Sequence, residues 1–269
     1  MKKINSYSRC LEYRRRVLDI SQKVTALHIA PAFSCLEMTD YIYNDLLFGE
    51  NAEYHDSPFI MSKGHGCMSQ YVILEDLGIL SKNDLDEYCT KNGILGAHPD
   101  IENPGIHAST GSLGHGLGLG VGAAHAEKLK STNTKVFILI SDGEIQEGST
   151  WEAVMMAANL YLDNLYLFVD FNDFGGMHKM SEQHKSFYPL VEKFSAFGWN
   201  AVEINGHSNS AISNAFNNIE KNNKPSVIIG KTIKGKGVDF MENVPIWHYR
   251  SPDPDEYDHA IKNLKEIVD

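Results

Sequence analysis

Three apolar runs, each followed or preceded by stretches with helical spacing, constrain this chain more than any other feature. "KVFILI" (135–140), "LYLFVDF" (165–171) and "SVIIGKTI" (226–233) are rich in Val, Ile, Leu and Phe with little polar alternation, the pattern of strands buried on both faces of a parallel sheet. Apolar spacing predicts helices over 8–24, 36–48, 67–77, 188–197 and 208–221, a short polar helix over 82–90, and one more strand at "NAVEI" (200–204). Pro31, in "TALHIAPAFSC", is read as the break between the first two helices. Ser149 and Glu152 fit an S-x-x-E capping box that opens the helix "TWEAVMMAANLYL". Strands alternating with helices imply an α/β fold with a mostly parallel central sheet and helices on both faces. At 269 residues one large domain over 1–250 is expected, with 251–269, which contains Pro252 and Pro254, as a detachable tail.

The glycine-rich segment "TGSLGHGLGLGVGAAHA" (110–126) contains Gly118, Gly120 and Ala123 in the G-x-G-x-x-A register of dinucleotide-binding folds. That fingerprint needs a buried strand feeding it, and the preceding "HPDIENPGIHAST" is polar and broken by proline. Read as a helix, the segment places Gly114, Gly118 and Gly122 on one stripe and Gly116, Gly120 and Ala124 on another, both suited to close packing.

Lys and Arg number 24 against 35 Asp and Glu, a net charge of −11, which disfavours nucleic acid and anionic membrane as partners. An anionic ligand then needs local neutralisation, for instance by a metal. The start, "MKKINSYSRCLEYRRRVLDI", has the basic end of a signal peptide without its apolar core, and no run approaches membrane-spanning length; a cytoplasmic protein is expected. Cys10, Cys35, Cys67 and Cys89 are scattered, with no spacing that suggests zinc or a disulfide framework.

In open parallel sheets ligands gather beyond the carboxyl ends of the strands. Asp142 lies two residues past "FILI", and Asn172, thirty residues later, ends the next strand. A carboxylate, an amide oxygen and one main-chain carbonyl are hard ligands suited to Mg²⁺ with a diphosphate.

"SDGEIQEGSTWEA" with Asn172 resembles the thiamine-diphosphate motif, and the chain resembles the N-terminal half of a transketolase. "LHIAPAFSCLEMTDYIY", "FIMSKGHG", "GAHPDIENPGIHASTGSLGHG", "EKFSAFGWNAVEINGH" and "TIKGKGVDFMENVPIWH" follow the family's order, so that the likeness runs from about residue 10 to residue 250. The resemblance implies a thiamine-diphosphate-binding fold. It assigns Mg²⁺, or another divalent cation such as Ca²⁺ or Mn²⁺, to Asp142, Asn172 and the main-chain oxygen of Phe174. It sets Gly143 and Glu144 against the diphosphate and the Gly111-Ser112-Leu113 loop against the cofactor. His28, His65, His98 and His248 fall on active-site positions, His65 and His248 also beside the cofactor; His107 and His115 receive no role. Imidazoles titrate near neutrality and can pass protons to, and hydrogen-bond, the carbonyl and hydroxyl groups of a sugar.

In this family a glutamate from a second, pyrimidine-binding domain completes the cofactor site. The resemblance therefore implies a split transketolase that moves a two-carbon ketol unit from a ketose to an aldose. This chain would be inactive without a pyrimidine-domain partner subunit, with which it would form a hetero-oligomer, and sugars or sugar phosphates would be the substrates. Ser141 stands where the motif has its first glycine, Ser112 where it has proline, and "IAPAF" after His28 where small, glycine-rich residues are usual. The alternatives are a component of a 2-oxo acid dehydrogenase, against which "SKGHG" and "WH" speak, and a non-catalytic binding module on a decayed fold.

Overall fold

The computed structural model describes residues 5–24, 27–49 and 57–266, with no side-chain detail for 265 and 266; the basic start at 1–4, part of the first interhelical loop and the last three residues lie outside it. In chain order the elements are α1 (Ser6–Ser21), α2 (Ile29–Tyr41), β1 (Phe59–Met61), α3 (Cys67–Asp76), α4 (Lys82–Asp86), α5 (Gly116–Leu129), β2 (Val136–Ser141), α6 (Gly148–Asn159), β3 (Leu165–Phe171), β4 (Phe174–Gly175), β5 (His178–Lys179), α7 (Met180–Gln183), α8 (Leu190–Ala196), β6 (Asn200–Asn205), α9 (Asn209–Asn217), β7 (Ser226–Lys231) and α10 (Pro254–Glu266).

Five strands form one sheet in the order β1-β2-β3-β7-β6, and every neighbouring pair is parallel. Side chains alternate across it. Phe59, Met61, Phe137, Leu139, Phe168 and Ile228 enter a core with α1, α2, α3, α9 and α10. Ile60, Ile138, Ile140, Leu167, Val169, Val227 and Ile229 enter a second core with α5, α6 and α8. Helices therefore cover both faces, and β2 is buried along its whole length. A two-stranded antiparallel pair, β4 with β5, stands apart from the main sheet.

Four expectations from the sequence are corrected. The second helix starts at Ile29 rather than 36, because Pro31 sits in its first turn, where a missing N–H has no helical acceptor to lose; the helix continues as a π-helical segment, Ile42–Leu47. Ser149 and Glu152 form no capping box: Glu147 caps α6 without a side-chain bond, and the Ser149 hydroxyl donates instead to the Gly114 carbonyl at 2.8 Å. A box does form at Ser81 and Asp84, opening α4. The segment after residue 250 carries α10, whose Ala260 and Leu264 are fully buried in the core with α1, so it packs as part of the domain. Within α5 only one of the two glycine stripes packs closely: an added methyl at Gly116 would collide with Ser62 and at Gly120 with Ile138, whereas Gly118 and Gly122 face open space, and Gly114, which lies ahead of the helix, is instead crowded by Glu147 and Ser149. All four cysteines are free, three buried and Cys89 exposed. Among the described residues no helix is long and apolar enough to cross a membrane.

Candidate functional site

The carboxyl ends of β1, β2, β3 and β7 open onto one region. Directly past β2, Asp142 is fully buried, its two oxygens accepting from the main-chain N–H of Gly143 at 2.9 Å and of Asp173 at 2.7 Å. Burial, reinforced by nearby Asp170, pushes its carboxyl up to about 8. Past β3, Asn172 accepts from the Phe174 N–H at 3.0 Å and donates to Asp170 at 3.0 Å. The turn between them places Asp173 in the left-handed region, φ 66°, a conformation that Asp tolerates better than most residues. Gly143 backs directly onto this turn: a methyl there would lie 3.2 Å from the Phe174 carbonyl oxygen. Asp142, Asn172 and the Phe174 carbonyl thus supply one carboxylate, one amide and one main-chain oxygen at adjacent strand ends, a donor set that fits a hard divalent cation.

Ser141, in the place of the motif's first glycine, accepts the Glu144 N–H on its hydroxyl at 3.2 Å and so serves the turn. Glu144 is fully buried. One of its carboxylate oxygens accepts from Ser62 and from the Gly114 N–H, which ties the glycine loop to β1, while Oε2 is buried without a protein partner. Gly111, Ser112 and Leu113 form that loop. Gly111 has φ +134°, and a side chain there would strike the His98 ring, while one at Gly64 would strike the Gly111 backbone.

His28, His65, His98 and His248 come together. Ring centroids are 5.9 Å apart for His28 and His65, 6.2 Å for His28 and His98, and 5.3 Å for His248 with either His28 or His65. His28 caps α2, His65 lies in the turn between β1 and α3, and His248 ends a 3₁₀ turn, Pro245–His248. Burial disfavours the imidazolium of all four, and for His248, where Lys234 adds to burial, the value falls to about 3.

Three charged residues not singled out from the sequence complete the region. Lys63 and Asp170, both fully buried, form an ion pair. Burial alone would lower the lysine, but Asp170 overcomes it and holds the ammonium charged. Asp170 also accepts from Ser34, Asn172 and Thr232. Lys234, 2% exposed, donates to the Gly176 carbonyl and to His248 Nδ1, each at 2.8 Å, and lies over the Phe174 ring. Burial, with Lys63 nearby, lowers it to about 8.

Residues 6–261 match the transketolase thiamine diphosphate binding domain. Over 260 residues the chain is 36% identical to one of the subunits of the apulose-4-phosphate transketolase of Phocaeicola vulgatus, covering 95% of this chain and 92% of that protein. Human transketolase is 34% identical over 195 residues, 72% of this chain but 31% of the human one. The crystal structure of Campylobacter jejuni transketolase superposes with a TM-score of 0.86 at 25% identity, covering 98% of this chain and 43% of that one. The chain therefore spans less than half of a single-chain transketolase and nearly all of the Phocaeicola protein. It belongs to the transketolase family, as that family's thiamine diphosphate binding domain.

Proposed function

We propose that this chain is the diphosphate-binding subunit of a split transketolase, which transfers a two-carbon ketol unit from a ketose to an aldose together with a pyrimidine-domain partner that supplies the catalytic glutamate. The observation that carries the reading is the convergence of four imidazoles that Lys234, bonded to His248 and lying over the Phe174 ring, joins to the turn bearing the Asp142, Asn172 and Phe174 oxygens. The 92% coverage of a relative that is itself one subunit of a larger enzyme supports a separate partner, and that relative's name makes apulose 4-phosphate the first donor to try.

When bound, thiamine diphosphate supplies the electron sink that lets a carbon–carbon bond beside a ketose carbonyl break. In this reading Asp142, Asn172 and the Phe174 carbonyl would hold Mg²⁺, or Ca²⁺ or Mn²⁺ in its place, whose charge would offset a diphosphate that a chain of net charge −11 would otherwise repel. Gly143, which leaves room for the Phe174–Gly175 turn, would let the diphosphate approach the main chain, and the Gly111-Ser112-Leu113 loop, braced through Gly114 by Glu144, would lie against the cofactor. Of the histidines, His28 carries its proton on Nδ1, because that atom faces the main-chain oxygen of His248 at 2.9 Å and a carbonyl only accepts; its Nε2 is left to take a proton from a sugar hydroxyl. His248 has the opposite tautomer, since Lys234 donates to its Nδ1, and presents an Nε2–H donor to a carbonyl or hydroxyl oxygen. His65 and His98 complete the rim.

Native mass of the chain isolated gently from its own cells tests this reading. A complex containing a second chain, with added mass for thiamine diphosphate and metal, supports it. A cofactor-free homodimer that binds no thiamine diphosphate when titrated with cofactor and Mg²⁺ overturns it.

A further inference from the structure

His207, the last residue of "EKFSAFGWNAVEINGH", has no part in the site described above, yet it reaches the turn that presents Lys234. The Ile233 N–H lies 2.8 Å from His207 Nε2. An amide N–H only donates, so Nε2 carries the lone pair and the ring proton sits on Nδ1, which donates to Glu37 Oε2 at 2.8 Å. The other Glu37 oxygen pairs with Arg14 at 2.7 Å. Arg14 in turn donates to the Lys236 carbonyl at 2.8 Å and to the Phe33 carbonyl at 3.1 Å. This relay leaves the turn at Ile233 and returns to it at Lys236, bracketing Lys234 and Gly235.

The relay is protected and tightly packed. Arg14 is 3% and Glu37 8% exposed; burial raises the Glu37 carboxyl, but Arg14 and His207 overcome it and hold the group below its ordinary value. A side chain at Gly206 would run into Thr232 and the Gly230 backbone, so only glycine lets the segment bearing His207 approach this closely. Within the turn, the Gly235 N–H donates to the Ala30 carbonyl at 3.2 Å, and the Lys234 carbonyl accepts from the Asn243 N–H at 2.9 Å. Ala30 lies in α2, the helix capped by His28.

We propose that His207, Glu37 and Arg14 form a buried positioning unit that holds the Ile233–Lys236 turn so that Lys234 stays on His248 Nδ1 and fixes the tautomer of that histidine. The catalytic consequence rests on the proposed ketol-transfer function; the relay itself does not.

The test uses the full chain, labelled with ¹⁵N-histidine and without cofactor, and reads both ring nitrogens of His248 in long-range ¹H–¹⁵N spectra, assigned by their loss in His248→Asn. The wild type is expected to show a single Nε2–H tautomer. His207→Ala should move the two nitrogens toward a common averaged shift and speed exchange of the Ile233 amide by about tenfold. His207→Gln, long enough to present an oxygen to Ile233, should restore both readouts, and the shorter His207→Asn should not. A folded His207→Ala chain with the wild-type His248 pattern overturns the proposal. If that variant does not fold, indistinguishable His248 spectra in the Gln and Asn variants overturn it. Failure of ketol transfer in the reconstituted wild type would count against the functional reading and leave the spectral result standing.

Discussion

His28 donates its Nδ1 proton to the main-chain oxygen of His248 across 2.9 Å, which leaves its Nε2 an acceptor, while Lys234 on His248 Nδ1 leaves that ring's Nε2 a donor. Both rings rest neutral, since burial makes the imidazolium costly for both, so a proton taken on His28 Nε2 is held only in passing. Replacing either with Asn, or His98 with Ala, in the reconstituted enzyme should lower kcat by about 100-fold or more, the usual contribution of a positioned acid or base. In the His28 and His98 variants the dissociation constant for thiamine diphosphate should stay within about twofold, since those changes remove no cofactor ligand. Steady-state kinetics beside calorimetry check this; unchanged kcat in all three variants would remove the histidines from the reaction.

The Asp142 carboxyl, raised to about 8 by burial and Asp170, is protonated at neutral pH before any cation arrives. A divalent ion must displace that proton, so binding of Mg²⁺ with thiamine diphosphate should tighten as pH rises from about 6.5 to about 8.5. Calorimetry in two buffers of different ionisation heat should register the released proton. Asp142→Ala should abolish the metal-dependent part of the binding, and unchanged binding in that variant sinks the assignment.

The histidines make stability itself depend on pH. A folded His248 with a value near 3, against an ordinary 6.5, refuses protons that the unfolded chain accepts. Its contribution is complete above 6.5 and is lost as pH falls toward 3, by at most about 1.4 kcal/mol per pH unit, and by less where solvent reaches the ring. Burial shifts His28, His65 and His98 in the same direction, while Asp142 works against them, so the comparison must be internal. The urea midpoint should fall between about pH 7.5 and about pH 5.5 less steeply in His248→Asn than in wild type; parallel slopes would refute the buried neutral ring.

The two glycine stripes of α5 make a paired test of packing. Gly120→Ala must push into Ile138 and should cost about 1–3 kcal/mol as an overpacked site. Gly118→Ala meets open space and should stabilise by up to about 1 kcal/mol through helix propensity. Thermal melts of the two variants, expected to move in opposite directions, decide it, and a stabilised Gly120→Ala would mean that α5 does not lie against β2 at this distance.

How far these features were legible in the sequence depends on whether their cause is local. The buried strands announced themselves because burial on both faces forces a continuous apolar run, and Asp142 and Asn172 were legible because each simply ends such a run. The strand Phe59–Met61 is too short to show any period. Ser149 satisfied a local capping pattern, but its hydroxyl is taken by Gly114, 35 residues away in sequence. Lys63, Lys234 and His207 carry no local signal, because a buried lysine or a relay histidine reads like a surface residue until the chain folds; Lys63 meets Asp170 across 107 positions and His207 meets Glu37 across 170.

The Lys63–Asp170 pair carries the sharpest stability prediction. Both side chains are fully buried, and Asp170 gathers donors from α2, β1's following turn, the Asn172 turn and Thr232 after β7, so one carboxylate ties together the ends of three strands. Lys63→Met leaves that carboxylate buried without its cation and should cost about 3–5 kcal/mol, because an uncompensated charge cannot be left in the interior cheaply. Adding Asp170→Asn to the same chain removes the stranded charge while the amide oxygen keeps one of the two hydroxyl donors, Ser34 or Thr232, and its NH2 turns to the oxygen of the other, and should recover part of the loss. Urea unfolding of the single and double variants measures the coupling. Strictly additive losses would mean that the two residues do not act as a pair, whereas recovery in the double variant shows that charge balance, rather than the lysine stem, holds this end of the sheet in place.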